Sequence, residues 1–160
     1  MKKIQLLTLI TLIIACSKEE EVINESNVNN TQNYEIWNGP LITFEKIDGS
    51  DPSQAINQDR ITENVWITRG NNGGQIYNIA KENSPDKSES PIGTVWAIGN
   101  LDEIETLEFK DFRSAVGKPQ DVVGKDLVVH LIDDDFYLAV KFSSWSQGQK
   151  GGFSYQRTTQ

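Results

Sequence analysis

Hydrophobic positions along this chain fall into three regimes. Ile4 to Ala15 is a nearly continuous apolar run, broken only by Gln5, Thr8 and Thr11 and preceded by Lys2 and Lys3. Ser17 to Asn33 is the reverse, a polar stretch with Glu19, Glu20 and Glu21 at its start and Asn24, Asn27, Asn29, Asn30 and Asn33 along it. From Tyr34 onward, apolar and polar residues alternate in short runs separated by turn residues. That alternation is the period-two signature of half-buried strands.

Leu41 to Lys46 alternates and then meets Asp48-Gly49-Ser50-Asp51-Pro52, a strong turn signal. Asn64 to Arg69 is β-branched and aromatic, stops at Gly70-Asn71-Asn72-Gly73-Gly74, and resumes as Gln75 to Ile79. This pair predicts a hairpin with a glycine-dependent loop. Lys81 to Pro91 is polar, contains two prolines and reads as a surface loop; Gly93 to Ile98 is a further strand. Ile104 to Val116 reads as a strand followed by a loop, with a short helix over Phe109–Val116 as the alternative. Asp126 to Ile132 has the near-continuous apolar character of a central strand, and Asp133-Asp134-Asp135 turns the chain. In the next strand Phe136, Leu138, Val140 and Phe142 share one face, and Tyr137, Ala139, Lys141, Ser143 and Trp145 share the other. Phe153, Tyr155 and Arg157 line one side of a last strand. About seven to nine short strands over residues 34–160 predict an all-β domain, a two-sheet antiparallel sandwich, with a small β-barrel as the alternative.

The apolar run Ile4–Ala15 is too short to span a bilayer, which takes about 20 helical residues, and its basic flank marks a secretion signal. It ends Ile13-Ile14-Ala15-Cys16, which resembles a lipobox, the cleavage site of bacterial lipoprotein signal peptidase. The resemblance implies that residues 1–15 are removed and that the Cys16 thiol carries lipid. Two or three acyl chains, at about 0.8 kcal/mol per buried methylene, would anchor the protein stably. Ser17-Lys18-Glu19-Glu20-Glu21 resembles the acidic export signal that carries lipoproteins to the outer face of the outer membrane in one group of Gram-negative bacteria. Residues 16–33 then form the lipidated Cys and a flexible acidic, Asn-rich tether, about 20–25 Å end to end as a coil.

Composition narrows the partners. The formal net charge is −8, which argues against nucleic acid, since phosphate binding needs a basic surface. One Cys and one His in 160 residues leave no intrachain disulfide and no Cys-rich or His-pair metal site. His130 sits mid-strand without a Gly-x-Ser-x-Gly turn anywhere, so a structural imidazole is expected there rather than a catalytic one. Asp133, Asp134 and Asp135 are the candidate calcium ligands, a hard cation's oxygen donors, and no other cofactor is expected. Asp48, Asp51, Asn57 and Asp59 make a second oxygen-rich segment; neither has EF-hand spacing. The glycine loop 70–74 lacks the Lys-Ser/Thr of a phosphate loop and reads as permissive backbone. Trp66 and Trp96 belong to apolar runs and read as core. Trp145, Tyr137 and Tyr155 are the candidate ligand-binding aromatics, because flat rings stack on sugar faces and Trp145 and Tyr137 fall on the polar side of their strand.

Two stretches carry a combined signature. The first is Asp59-Arg60-Ile61-Thr62-Glu63-Asn64-Val65-Trp66-Ile67-Thr68-Arg69-Gly70 through Gly73-Gly74. The second runs from His130-Leu131-Ile132-Asp133-Asp134-Asp135-Phe136-Tyr137-Leu138 through Phe142-Ser143-Ser144-Trp145 to Gly151-Gly152-Phe153-Ser154-Tyr155-Gln156-Arg157. Together they resemble an uncharacterised β-sandwich-like domain that recurs in bacterial secreted and surface proteins. The resemblance implies that fold and an exterior location, and it assigns no catalytic residue. The expectation is a surface-exposed outer-membrane lipoprotein, held to the membrane by its lipid, that acts as a non-catalytic binding or display module. Its expected ligand is extracellular glycan, or else an envelope protein partner, with a hydrolase as the weaker alternative.

Overall fold

The computed structural model describes residues 35–160; the expected signal segment 1–15 and the expected tether 16–33 lie outside them. Nine strands follow in chain order among the described residues: β1 (Glu35–Trp37), β2 (Ile42–Lys46), β3 (Asp59–Arg60), β4 (Trp66–Arg69), β5 (Ile76–Asn78), β6 (Thr94–Ile98), β7 (Asp126–Leu131), β8 (Phe136–Trp145) and β9 (Phe153–Arg157). One α-helix, α1 (Phe112–Val116), and three short 3-10 helices connect them. The strands form a six-stranded sheet, ordered β2-β9-β8-β7-β6 with β1 also on β8, and a three-stranded sheet β3-β4-β5. This is the all-β, two-sheet sandwich-like class that the alternation predicts, and neither sheet closes into a barrel.

The ten-residue β8 is the spine of the large sheet. On one edge β7 pairs antiparallel from Asp126↔Lys141 to Leu131↔Phe136. The other edge is shared: β1 runs parallel against Phe136–Leu138, and β9 runs antiparallel beyond it, from Val140↔Arg157 to Trp145↔Phe153. The β1 pairing is the one parallel contact in an otherwise antiparallel framework. In the small sheet the expected β4–β5 hairpin forms, with Ile67 opposite Asn78 and Arg69 opposite Ile76.

The core lies between the sheets. Trp96, Leu127, Val129, Leu131, Leu138, Val140, Phe142 and Tyr155 from the large sheet meet Val65, Ile67 and Ile76 from the small-sheet side. Phe112 and Val116 of α1, one helical turn apart, join them. Each fully buried side chain of this size contributes about 1.5–3 kcal/mol. A buried ion pair also stitches the layers. Arg157 of β9 holds Asp59 of β3 through Nε to Oδ2 (2.7 Å) and Nη2 to Oδ1 (2.9 Å). The Tyr155 hydroxyl donates to the same carboxylate at 2.6 Å.

Two expectations are corrected. Ile104 to Val116 is not a strand followed by a loop, and the alternative short helix forms at its end. A 3-10 helix spans Leu101–Thr106, Lys110 makes an isolated bridge with Trp96, and α1 follows. Glu103 Oε2 accepts from the Asn100 amide at 2.9 Å and so closes the first turn of the 3-10 helix. The second correction concerns face parity. A β-bulge between Phe142 and Ser144 shifts the register, so Phe142 faces Tyr155 and Trp145 faces Phe153. One extra residue flips every later side chain. Trp145 therefore leaves the Tyr137 face and packs half-buried against the core.

Candidate functional site

A groove of mixed polar and apolar lining is built around the β4–β5 turn. Gly73 and Gly74 adopt φ of 90° and 95° there, a left-handed conformation that side chains disfavour. At Gly74 a Cβ would also sit 3.2 Å from Pro85 Cγ, so glycine lets the turn press against loop 83–87. Three adjoining hollows share residues along this turn. One of about 440 Å³ is bounded by Asn71, Asn72, Tyr77 and Asn83. It shares Asn72, Ser84 and Pro85 with a second, of about 270 Å³, which reaches Gln75 and Lys87. The second shares Gly74 with a third, of about 170 Å³, bounded by Arg69, Arg113, Gln120, Trp145 and Gln147.

Gln75 organises the walls. It is buried, and its Nε2 donates to the carbonyls of Asp86 (2.7 Å) and Ser90 (2.8 Å), holding the loop in place. Its Oε1 accepts from Arg113 Nε at 3.2 Å and so orients that guanidinium toward the groove end.

Arg69 closes β4 and is 2% exposed. Its Nε donates to the Gly74 carbonyl (3.2 Å), and Nη1 donates to those of Ser146 and Gly152 (both 2.9 Å). The guanidinium lies 4.1 Å from the centroid of the Trp145 ring, a cation–π stack. Burial pushes its pKa down to about 10, partly opposed by the nearby Asp48 charge. It remains a cation at neutral pH. Beside it, Lys46 is 1% exposed and donates from Nζ to Asn71 Oδ1 at 2.9 Å. Burial, and then repulsion from Arg69, lower its pKa.

The lining of all three hollows contains no Asp or Glu, although the chain has 23 acidic residues. It contains Arg69, Arg113 and Lys87 together with five side-chain amides beyond Gln75. Asp86, adjacent to Lys87, accepts instead from the Ser88 amide at 2.7 Å. Such a lining donates hydrogen bonds to hydroxyls and anions. It sets no imidazole, thiol or carboxylate beside Ser84, so the lining itself holds no activated nucleophile.

The residues singled out from the sequence fall in four places. Cys16, Ser17, Lys18, Glu19, Glu20 and Glu21 lie outside the described residues. Trp145 reaches the groove end, though on the core face and beneath Arg69 rather than on the polar face. Tyr155 is corrected: its ring is 1% exposed within the core and its hydroxyl is committed to Asp59, so it offers a ligand no surface. Tyr137 stays on the outer face, but stacked on His130 at 4.2 Å and edge-on to Phe109 at 5.5 Å, away from the groove lining.

The candidate calcium ligands Asp133, Asp134 and Asp135 are each engaged within the protein. Asp133 pairs with Lys81 at 2.5 Å, and Asp134 accepts from Thr62 (2.8 Å) and Asn64 (2.9 Å). Asp135 meets His130 Nε2 at 3.1 Å. The three carboxylates diverge to four partner residues, and among the described residues no cluster of three metal-ligating side chains forms. Asp59, of the second oxygen-rich segment, is enclosed by Arg157 and Tyr155.

Arg69, Arg113, Lys87 and the groove amides were not singled out from the sequence. The one local sign is an arginine closing an apolar strand just before a glycine-rich turn, which marks a cation at a loop base. Compared with models of known protein families, with curated proteins and with solved structures, the chain matches none.

Proposed function

We propose that this protein is a lipid-anchored module of a bacterial cell surface that binds extracellular glycan in the groove along the β4–β5 turn and performs no catalysis on it. The groove carries the reading: a long concave surface rich in amides and cations, with an indole at one end. Amides donate and accept, as sugar hydroxyls do, and the exposed part of Trp145 gives a ring edge for apolar sugar carbons. Ala15-Cys16 and the acidic run Glu19–Glu21 support a lipid anchor facing outward, which would put the groove among extracellular polymers. The test is a glycan array probed with the full chain in detergent, followed by prolonged incubation of any bound glycan. Saturable binding without chain shortening is the expected result; binding to no glycan, or shortening of the polymer, refutes the reading.

A second reading, docking of an envelope protein, is favoured by a separate observation. The edge strand β2 and the segment before it expose Ile42 and Leu41, next to an apolar hollow of about 200 Å³ lined by Leu41, Leu101, Leu127 and Val140. Crosslinking on intact cells from Leu41 tests it; a crosslink to one defined protein supports this reading over the first.

A further inference from the structure

We infer that the groove is built for an acidic polysaccharide, a chain bearing carboxylate or sulfate groups, whose anions are taken by Arg69 and Arg113 at one end and by Lys87 along the wall. This rests on the glycan reading above and specifies its chemistry.

Two arginines are buried in this domain, and they are satisfied differently. Arg157 is 5% exposed and has a bidentate carboxylate, Asp59, at 2.7 and 2.9 Å. That is the ordinary way to bury a guanidinium, because an uncompensated buried charge is costly. Arg69 is buried still more deeply and forms no ion pair among the described residues. Three backbone carbonyls and the Trp145 face hold it. Its Nη2 makes no hydrogen bond among the described residues. Nor is Nη2 a sealed orphan: among the described residues the fully buried side-chain polar atom without a partner is Trp37 Nε1. So Nη2 keeps access to solvent, and the hollow that Arg69 lines is the groove end. Lys46, equally buried, also lacks an ion-pair partner among the described residues and donates to Asn71, a groove residue, and to the Gly151 carbonyl. The closest acidic groups, Asp48 and Asp51, influence these cations without contacting them. Asp48 lines a different hollow and is engaged by Ser146, Gly152 and Lys150.

The overall charge of −8 does not oppose an anionic ligand here. The screening length at physiological salt is about 8 Å, so charges beyond the groove walls are damped while contact cations act in full. A guanidinium also presents paired donors that match carboxylate and sulfate oxygens.

The remaining lining favours a polysaccharide over an acidic peptide. Among the described residues, the side-chain amides of Asn72, Asn83, Gln120 and Gln147 have no partner in the protein. They stand ready to donate to and accept from hydroxyls. The apolar side chains of the lining are the rings of Trp145, Tyr77, Pro52, Pro85 and Pro119, which suit the flat face of a sugar better than an aliphatic peptide side chain.

The test measures binding of the full chain in detergent at physiological salt to three matched sets. These are polygalacturonate against its methyl ester, dextran sulfate against dextran, and poly-glutamate as the acidic peptide. Binding to polygalacturonate or dextran sulfate at least tenfold tighter than to its neutral counterpart and to poly-glutamate is expected. The first pair reports a carboxylate ligand and the second a sulfate ligand. Arg113→Gln combined with Lys87→Gln, two partly or fully exposed positions, should weaken that binding about tenfold or more while the cooperative thermal transition is retained. Arg69→Lys should weaken it as well, and the exposed pair keeps the test decisive if this variant does not fold. Equal binding of neutral and acidic glycans overturns the inference while leaving the glycan reading intact. Binding to no glycan overturns both. Equal binding of poly-glutamate refutes the polysaccharide assignment, and an acidic preference unmoved by Arg113→Gln with Lys87→Gln refutes the site.

Discussion

Removing the Asp59 carboxylate tests how the two sheets are held together. Asp59 is 6% exposed on β3, and it receives Arg157 Nε and Nη2 at 2.7 and 2.9 Å and the Tyr155 hydroxyl at 2.6 Å. Asp59→Ala leaves a guanidinium buried without its counter-charge and a buried hydroxyl without its acceptor. Breaking one partner of a buried pair costs about 3–5 kcal/mol, and stranding the hydroxyl adds about 1 kcal/mol or more. Domains of this size are stable by about 5–15 kcal/mol in total, so the variant should lose a third or more of its stability. Urea denaturation of the full chain should show a lower midpoint at an unchanged slope. Replacing both partners together, Asp59→Leu with Arg157→Met, should cost far less than Asp59→Ala, because no charge is then stranded. Tyr155→Phe removes one hydrogen bond and should cost about 1–2 kcal/mol. A loss below about 1 kcal/mol for Asp59→Ala, against the several expected, would mean that Arg157 finds another partner and that the pair does not join the layers.

Truncation after Ser146 removes β9 with Phe153, Tyr155 and Arg157, uncovering β2 and half of β8, and should abolish the cooperative thermal transition seen by circular dichroism. Trp145→Ala should cost about 3 kcal/mol in a chemical melt, because its half-buried ring packs on Phe153 and Arg69; an unchanged midpoint would place the indole outside the core. Hydrogen bonds from Ser146 to Asp48 and from Ser53 to Asp51 hold both carboxyls below the usual value of 3.8. Their contribution is therefore complete above pH 3.8 and lost as the pH falls through the lower folded values. Melting temperature should accordingly drop below that pH, and less steeply in Asp48→Asn than in the parent. Cys16→Ala should abolish fatty-acid labelling, since the chain has no other thiol; persistent label would refute the lipoprotein assignment.

Alternation and short apolar runs were enough to predict seven of the nine strands, β1 and β3 being too short to carry a pattern, because a side chain on a strand is in or out according to position alone. β7, β8 and β9 and the β4–β5 hairpin are local patterns of this kind, and so is the burial of Phe136, Leu138, Val140 and Phe142. The proposed N-terminal address rests on signs just as local: a charge, an apolar length, a small residue and a cysteine in order. Where a longer-range pairing intervened, the local pattern failed. The bulge at Phe142–Ser144 is set by how β9 lies against β8, and it moved Trp145 from the polar face to the core. Ile104 to Val116 alternates well enough for a strand, yet Phe112 and Val116 find the core one helical turn apart. The groove lay further from reach. Arg69, Arg113 and Lys87 are separated in sequence and converge only because the β4–β5 turn, the loop after β5 and α1 meet. Which buried arginine has a carboxylate was also decided there: Asp59 lies 98 positions from Arg157 and only 10 from Arg69, yet it pairs with Arg157. Local sequence reports each residue's preference for water or core. The partner of a buried charge depends on which strands the folded sheets bring face to face.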